Sequence, residues 1–173
     1  HYVFCVDVSL TMKKDTMVAP LKQALKQFVQ GISEDDTVSI ITFGETVDTL
    51  TENSWDKSVI NQAIDNINAD QNMTALYKGV LDSVELANKY GGRSAVIVFT
   101  DGKDDPTEEM KKYTKDSIFS EVIATQVPLY CIGLNDNNGV DEMSLKEFAS
   151  TTGGAQFVTS GADVDKSIAS VKN

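Results

Sequence analysis

Five oxygen-bearing side chains fall in a pattern suited to a hard cation. Asp7, Ser9 and Thr11 lie in Asp7-Val8-Ser9-Leu10-Thr11, Thr74 stands just before an apolar helical segment, and Asp101 sits in Thr100-Asp101-Gly102. Two carboxylates and three hydroxyls suit Mg²⁺, with Mn²⁺ or Ca²⁺ as alternatives, and offer no nitrogen or sulfur to attract zinc or copper. With only two charged ligands, several coordination positions fall to water or to a partner, as Mg²⁺ prefers. The one-residue spacing of Asp7, Ser9 and Thr11 lets alternate side chains point the same way as the chain leaves a strand and turns. Taken singly, each of the five is more simply a turn former or a helix cap. Their joint placement is what points to an ion.

That placement depends on the elements between them. Tyr2 to Val6 is a continuous apolar run, as a buried parallel strand requires, and it delivers Asp7 at its end. Val18, Leu21, Leu25, Phe28, Val29 and Ile32 recur at helical spacing, with Gly31 as the stop. Thr37 to Phe43 is a second strand, and Thr46 to Leu50 a weaker antiparallel edge partner beyond the Gly44-Glu45 turn. Val59 to Ile67 gives a short helix, and Leu76 to Ala87 a longer one closed by Gly91-Gly92. Ala95 to Phe99, the most hydrophobic strand, is expected at the centre of the sheet and delivers Asp101. After a polar stretch from Lys103 to Lys115 come a helix near Ile118 to Thr125 and a strand from Leu129 to Leu134. A helix from about Ser144 to Ser150, a strand from Gln156 to Val158 and a helix from Val164 to Val171 complete the chain. The result is an α/β domain: a mostly parallel sheet with helices on both faces. In such sheets ligands bind beyond the C-terminal strand ends, near the point where strand order reverses.

Charge narrows the partners. Against 15 Lys and Arg stand 26 Asp and Glu, a net charge of −11, which repels phosphate backbones and disfavours nucleic acid and anionic membranes. No apolar run reaches the roughly 18 residues of a membrane span. The chain opens directly on a strand, so a signal peptide is not expected, and residues 1–173 are expected to form one domain cut from a larger protein. Cys5 and Cys131, each within an apolar strand, read as buried free thiols, leaning toward a reducing compartment. Among the acidic residues after Asp101, Asp104, Asp105, Glu108 and Glu109 alternate with lysines and read as a solvated loop overhanging the site. Trp55 is expected to pack or to be partly covered, and the scattered methionines to fill core gaps. Removing Asp7 is expected to relieve repulsion with Asp101.

The order of these residues resembles the von Willebrand factor A family. Its metal-ion-dependent adhesion site reads D-x-S-x-S, then a distant threonine, then a distant aspartate in a T-D-G-like turn. Asp7, Ser9 and Thr11 match the first part, Thr74 the second, and Asp101 within "VIVFTDG" the third. The segments "DDTVSIITFGETV", "TALYKGVLDSVELA", "VPLYCIGLND" and "LKEFASTTGGAQFV" resemble successive family segments from about Tyr2 to Val171. The resemblance implies a three-layer, Rossmann-like, doubly wound sheet of six strands, one of them an antiparallel edge strand. The implied strand order is third, second, first, fourth, fifth, sixth. Cys5 and Cys131 would then be separated by one strand, roughly 9 to 10 Å apart, beyond the roughly 7 Å limit for a bridge. Three residues depart from the family pattern: Thr11 replaces a serine, Leu10 a glycine, and Asn72-Met73 a Gly-Gly pair.

Three functions follow. The resemblance implies a binding module in which a protein partner's acidic group, or a water, completes the coordination of the metal. A metal-free scaffold using another surface is the alternative that Leu10 favours. The third is an enzyme, since "FCVDVSLT" faintly resembles the D-x-D-x-T motif of haloacid dehalogenase-type phosphatases. There the second aspartate is the acid-base catalyst; here Ser9 holds that position, and a serine cannot protonate a leaving group near neutral pH. The chain is therefore expected not to be an enzyme.

Overall fold

A computed structural model of the chain describes residues 1–14, 17–134, 140–160 and 163–171. Strand β1 (Tyr2–Asp7) is followed by a short helix α1 (Leu10–Lys14) and then α2 (Val18–Gln30). Next come β2 (Val38–Phe43), β3 (Val47–Ser54), α3 (Lys57–Asp65), α4 (Leu76–Tyr90) and β4 (Ala95–Thr100). Helix α5 (Lys115–Ala124), β5 (Leu129–Leu134), α6 (Glu142–Thr152), β6 (Gln156–Thr159) and α7 (Val164–Ser170) complete the order. The six strands form one sheet in the order β3-β2-β1-β4-β5-β6, parallel throughout except for the antiparallel β2–β3 edge pair. The strand order is the one that the family resemblance implies.

Strand alternation builds two cores. Phe4, Val6, Ile40, Ile97, Phe99 and Ile132 face α2, α3 and α7, whereas Val3, Cys5, Ile41, Phe43, Val96 and Val98 face α4, α5 and α6. Both faces are apolar, so the central strands read as unbroken hydrophobic runs. In α2 the buried stripe is Leu21, Ala24, Leu25, Phe28 and Val29. Each large member contributes roughly 1.5–3 kcal/mol by leaving water. The helix stops at Gly31, whose N–H reaches the carbonyls of Gln27 and Phe28. Lys57, from the start of α3, donates to the carbonyls of Gln30 and Ile32 just past this end.

Cys5 and Cys131 are both buried free thiols. Each pairs in register with Val98 of the intervening strand β4, which keeps them apart. Burial pushes the Cys131 thiol up to about 12 and raises that of Cys5 as well, so both stay protonated.

Several local expectations change. The edge strand runs to Ser54 rather than Leu50, because Thr51 and Ser54 still pair with Ile40 and Val38 across register shifts. Helix α1 carries no clear apolar period and could not be read from the sequence. Helix α5 starts at Lys115, ahead of its apolar residues, because Thr114 and Ser117 form a capping box. Trp55 is not packed; it is 74% exposed. Met12 and Met17 fill the core as expected, but Met143 is 77% exposed.

Candidate metal centre

Strand order reverses between β1 and β4, since β1 is followed in the sheet by β2 on one side and by β4 on the other. Asp7 ends β1 and Asp101 directly follows β4, so the two carboxylates emerge side by side at this switch point. Both are buried, as are Ser9 and Thr74; Thr11 is exposed and forms the outer lip.

Hydrogen bonds join four of the five residues. The Ser9 N–H donates to Asp7 Oδ1 at 2.8 Å, folding the chain back as β1 ends. Ser9 Oγ and Thr11 Oγ1 lie 2.9 Å apart, and Thr11 Oγ1 donates to Asp101 Oδ1 at 2.9 Å. The loop of the fifth residue, Thr74, is bound to the same group from both sides. Leu10 N–H donates to the Gln71 carbonyl at 2.7 Å, and Gln71 N–H donates back to Val8. Thr74 and Asp105 exchange both backbone hydrogen bonds at 2.9 Å, which fastens the loop to the segment after Asp101. Gly44 lets the chain come close: a Cβ there would lie 2.7 Å from that of Gln71.

The departures from the family pattern have a local explanation. Leu10 opens helix α1, a conformation that does not call for glycine. Among the described residues the only non-glycine positions with positive φ are Asn53 and Gln126, so neither Asn72 nor Met73 occupies a left-handed position. Asn72 is instead held by Glu45, whose Oε1 accepts from both its backbone and its side-chain nitrogen.

Three supporting residues were not legible as such. Thr100 Oγ1 donates to Asp7 Oδ2 at 2.7 Å. Val6 pairs with Phe99, so Thr100 is the next cross-strand neighbour of Asp7; the sequence shows this only once β1 and β4 are known to be adjacent. Gln71 acts through its backbone, which no side-chain pattern reveals. Asp104 is half-buried rather than solvated, and its Oδ1 accepts from the backbone N–H of Tyr77 in the first turn of α4.

Burial pushes the Asp7 carboxyl above its ordinary value, while hydrogen bonds from Ser9, Thr100 and the Asp101 backbone pull it back. These donors weigh against a gain in stability from relieving repulsion between Asp7 and Asp101. Asp7→Ala would leave buried donors without an acceptor, and it is expected to destabilise the fold.

Asp104 is raised from 3.8 to about 6 by burial, against hydrogen bonds from the Tyr77 and Leu76 backbone. The folded chain therefore holds this proton more tightly than the unfolded chain does. The associated stability is complete below about pH 4 and is lost as pH rises through about 6. Asp104→Asn keeps an acceptor for Tyr77 but cannot titrate. In metal-free buffer it is expected to remove on the order of 1 kcal/mol of pH-dependent stability, the group being partly screened by solvent. Denaturant melts of both proteins across this range check it; parallel pH profiles would contradict it.

Among the described residues no three His, Cys, Asp or Glu side chains form a metal-binding group, so the donors at this edge are two carboxylates with hydroxyls around them. That set fits a hard dication and provides no soft ligand. Set beside known proteins, the chain matches the von Willebrand factor type A domain model over residues 2–172, and it belongs to that family. It is 26% identical to mouse inter-alpha-trypsin inhibitor heavy chain H3 over 79% of its length, and 24% identical to a UPF0353 protein of Nocardia farcinica over 93%. It spans only 16% and 58% of those two relatives. Among solved structures, a von Willebrand factor type A protein from Catenulispora acidiphila superposes with a TM-score of 0.77 at 14% identity, covering 95% of this chain and 40% of that one. Proximal thread matrix protein 1 from the mussel byssus, in a structure whose metal-ion-dependent adhesion motif holds zinc, superposes with a TM-score of 0.74 at 18% identity. That match covers 98% of this chain and 46% of the mussel protein.

Proposed function

We propose that residues 1–173 form a divalent-cation-dependent protein-binding module. In this reading Ser9, Thr11, Thr74, Asp7 and Asp101 hold Mg²⁺, with Mn²⁺ or Ca²⁺ as substitutes, and an acidic side chain of a protein partner, or a water, completes the coordination. The supporting observation is the hydrogen-bonded run from Asp7 through Ser9 and Thr11 to Asp101 at the sheet's switch point. Asp7 already accepts protein donors on both oxygens, which suits contact with the ion through water. The Ser9 and Thr11 hydroxyls need only rotate their protons away for their oxygens, and the Asp101 carboxylate oxygen that accepts from Thr11, to face an ion. A bound dication would supply a Lewis-acidic position open toward the partner.

The module is proposed to be non-catalytic, because Ser9 stands where a phosphatase of the haloacid dehalogenase type needs an acid. Its net charge of −11 argues against nucleic acid as the partner. A metal-free scaffold is the competing reading, and calorimetry separates the two: Mg²⁺ and Mn²⁺ should each saturate one site. No heat and no saturation up to millimolar metal would overturn the proposal.

Thr11 refines the test. Thr11→Ser keeps the hydroxyl and should retain metal binding, whereas Thr11→Ala should lose about tenfold or more in affinity. Equal affinity in the two variants would remove Thr11 from the ligand set.

A further inference from the structure

We infer that Glu45, at the tip of the β2–β3 hairpin, is a positioning residue that favours Mg²⁺ over Ca²⁺ by holding the Thr74 loop through Asn72. This rests on the cation-dependent reading above.

The oxygens already brought together suit the smaller ion. Ser9 Oγ and Thr11 Oγ1 lie 2.9 Å apart, as do Thr11 Oγ1 and Asp101 Oδ1. Six oxygens around Mg²⁺, each at about 2.0 to 2.1 Å, form an octahedron with edges of about 2.8 to 3.0 Å. Six around Ca²⁺, at about 2.3 to 2.6 Å, need edges of about 3.3 to 3.7 Å. The three oxygens can therefore take Mg²⁺ at their present spacing, whereas Ca²⁺ in such a shell requires them to spread. The remaining candidate ligand, Thr74, comes from a separate loop, so the freedom of that loop decides how far the shell can widen.

The loop is tied down residue by residue. The Gln71 backbone is bonded to Val8 and Leu10, and the Thr74 backbone to Asp105. The hairpin tip supplies the other anchors: the Ala75 N–H donates to the Gly44 carbonyl at 2.9 Å, the Thr46 N–H to Gln71 Oε1 at 3.1 Å, and Asn72 to Glu45. Main-chain anchors persist whatever the side chains are. The Glu45 anchor does not, and it lies two residues from Thr74.

One oxygen carries that anchor. Glu45 Oε1 accepts from the Asn72 backbone N–H at 3.1 Å and from Asn72 Nδ2 at 3.0 Å. The side-chain bond first, and then the backbone one, hold the Glu45 carboxyl below its ordinary value. The acceptor is therefore ionised near neutral pH, where such bonds are stronger than neutral ones. A glycine at position 72 would offer no amide to grip. Selection between Mg²⁺ and Ca²⁺ turns on the size and flexibility of the site, and a rim pinned in this way resists expansion.

Calorimetry of the whole chain with Mg²⁺ and, separately, with Ca²⁺ tests this. Glu45→Ala should weaken Mg²⁺ binding about fivefold, the equivalent of one lost hydrogen bond, and Ca²⁺ binding less than about twofold, so the ratio of the two affinities falls. Glu45→Gln keeps an accepting oxygen and should hold that ratio within about twofold of the wild type. Asn72→Ala should also lower the ratio, and combining it with Glu45→Ala should add little, because both remove the same side-chain bond. In metal-free buffer, hydrogen exchange at the Thr74 amide should quicken in Glu45→Ala but not in Glu45→Gln, with Tm nearly unchanged. Absence of Mg²⁺ saturation in the wild type overturns the underlying reading, and this inference with it. Saturation by Mg²⁺ with an affinity ratio that Glu45→Ala leaves unchanged, whether both metals weaken alike or neither does, overturns this inference alone.

Discussion

Asp101→Asn should weaken Mg²⁺ binding by about a hundredfold or more while leaving the metal-free domain folded. The substitution removes one of only two carboxylates at the site but preserves shape. Asparagine still offers an oxygen to Thr11, which donates to Asp101 Oδ1 at 2.9 Å. Metal-free stability should therefore change by less than about 1 kcal/mol. Titration calorimetry paired with a metal-free melt reads both quantities. A variant that unfolds would make Asp101 a structural residue, and one that keeps its Mg²⁺ affinity would remove it from the ligand set.

The largest stability loss is expected far from that site, at Gly154→Ala. A Cβ on Gly154 would lie 1.9 Å from the Leu129 carbonyl oxygen and 2.5 Å from its carbon. Neither side can yield easily. The Leu129 side chain is fully buried, its N–H donates to Thr152 Oγ1, and it pairs with Val96, while the Gly154 N–H is bonded to Ala149 at the end of α6. The substitution is expected to cost about 3 kcal/mol or more, lowering Tm by roughly 10 °C. Gly102→Ala, where a Cβ would meet nothing within 4 Å, serves as the control and should leave Tm nearly unchanged. Equal melting of the two variants would show that β5 and the turn after α6 can separate without loss.

Most of the fold is legible because the central strands are apolar on both faces and the long helices carry a clear apolar stripe. β1, β4 and α2 are visible for that reason. Helix α1 has too few residues to display a period, and the last residues of β3 are polar, held by pairing with β2 rather than by composition. The five candidate ligands stand out through residue type and order along the chain. Their supports do not, because support here is a property of neighbours. Thr100 acts on Asp7 across two adjacent strands, Gln71 acts through its backbone, and Asp104 caps a helix that begins 28 residues earlier in the sequence, at Leu76. The exposure of Trp55 and Met143 was hidden for the opposite reason: large apolar residues are expected inside, and only the packed structure shows which ones remain outside.

The cation-dependent reading is tested most directly by an anomalous difference map from a crystal grown in Mn²⁺ and measured again after exchange into Mg²⁺. It predicts one strong peak between Asp7 and Asp101, with oxygens of Ser9, Thr11, Thr74 or Asp101 among its ligands, and Mg²⁺–oxygen distances near 2.0 to 2.1 Å after exchange. A map with no anomalous peak there at saturating Mn²⁺, or with the ion bound only elsewhere on the acidic surface, would contradict it.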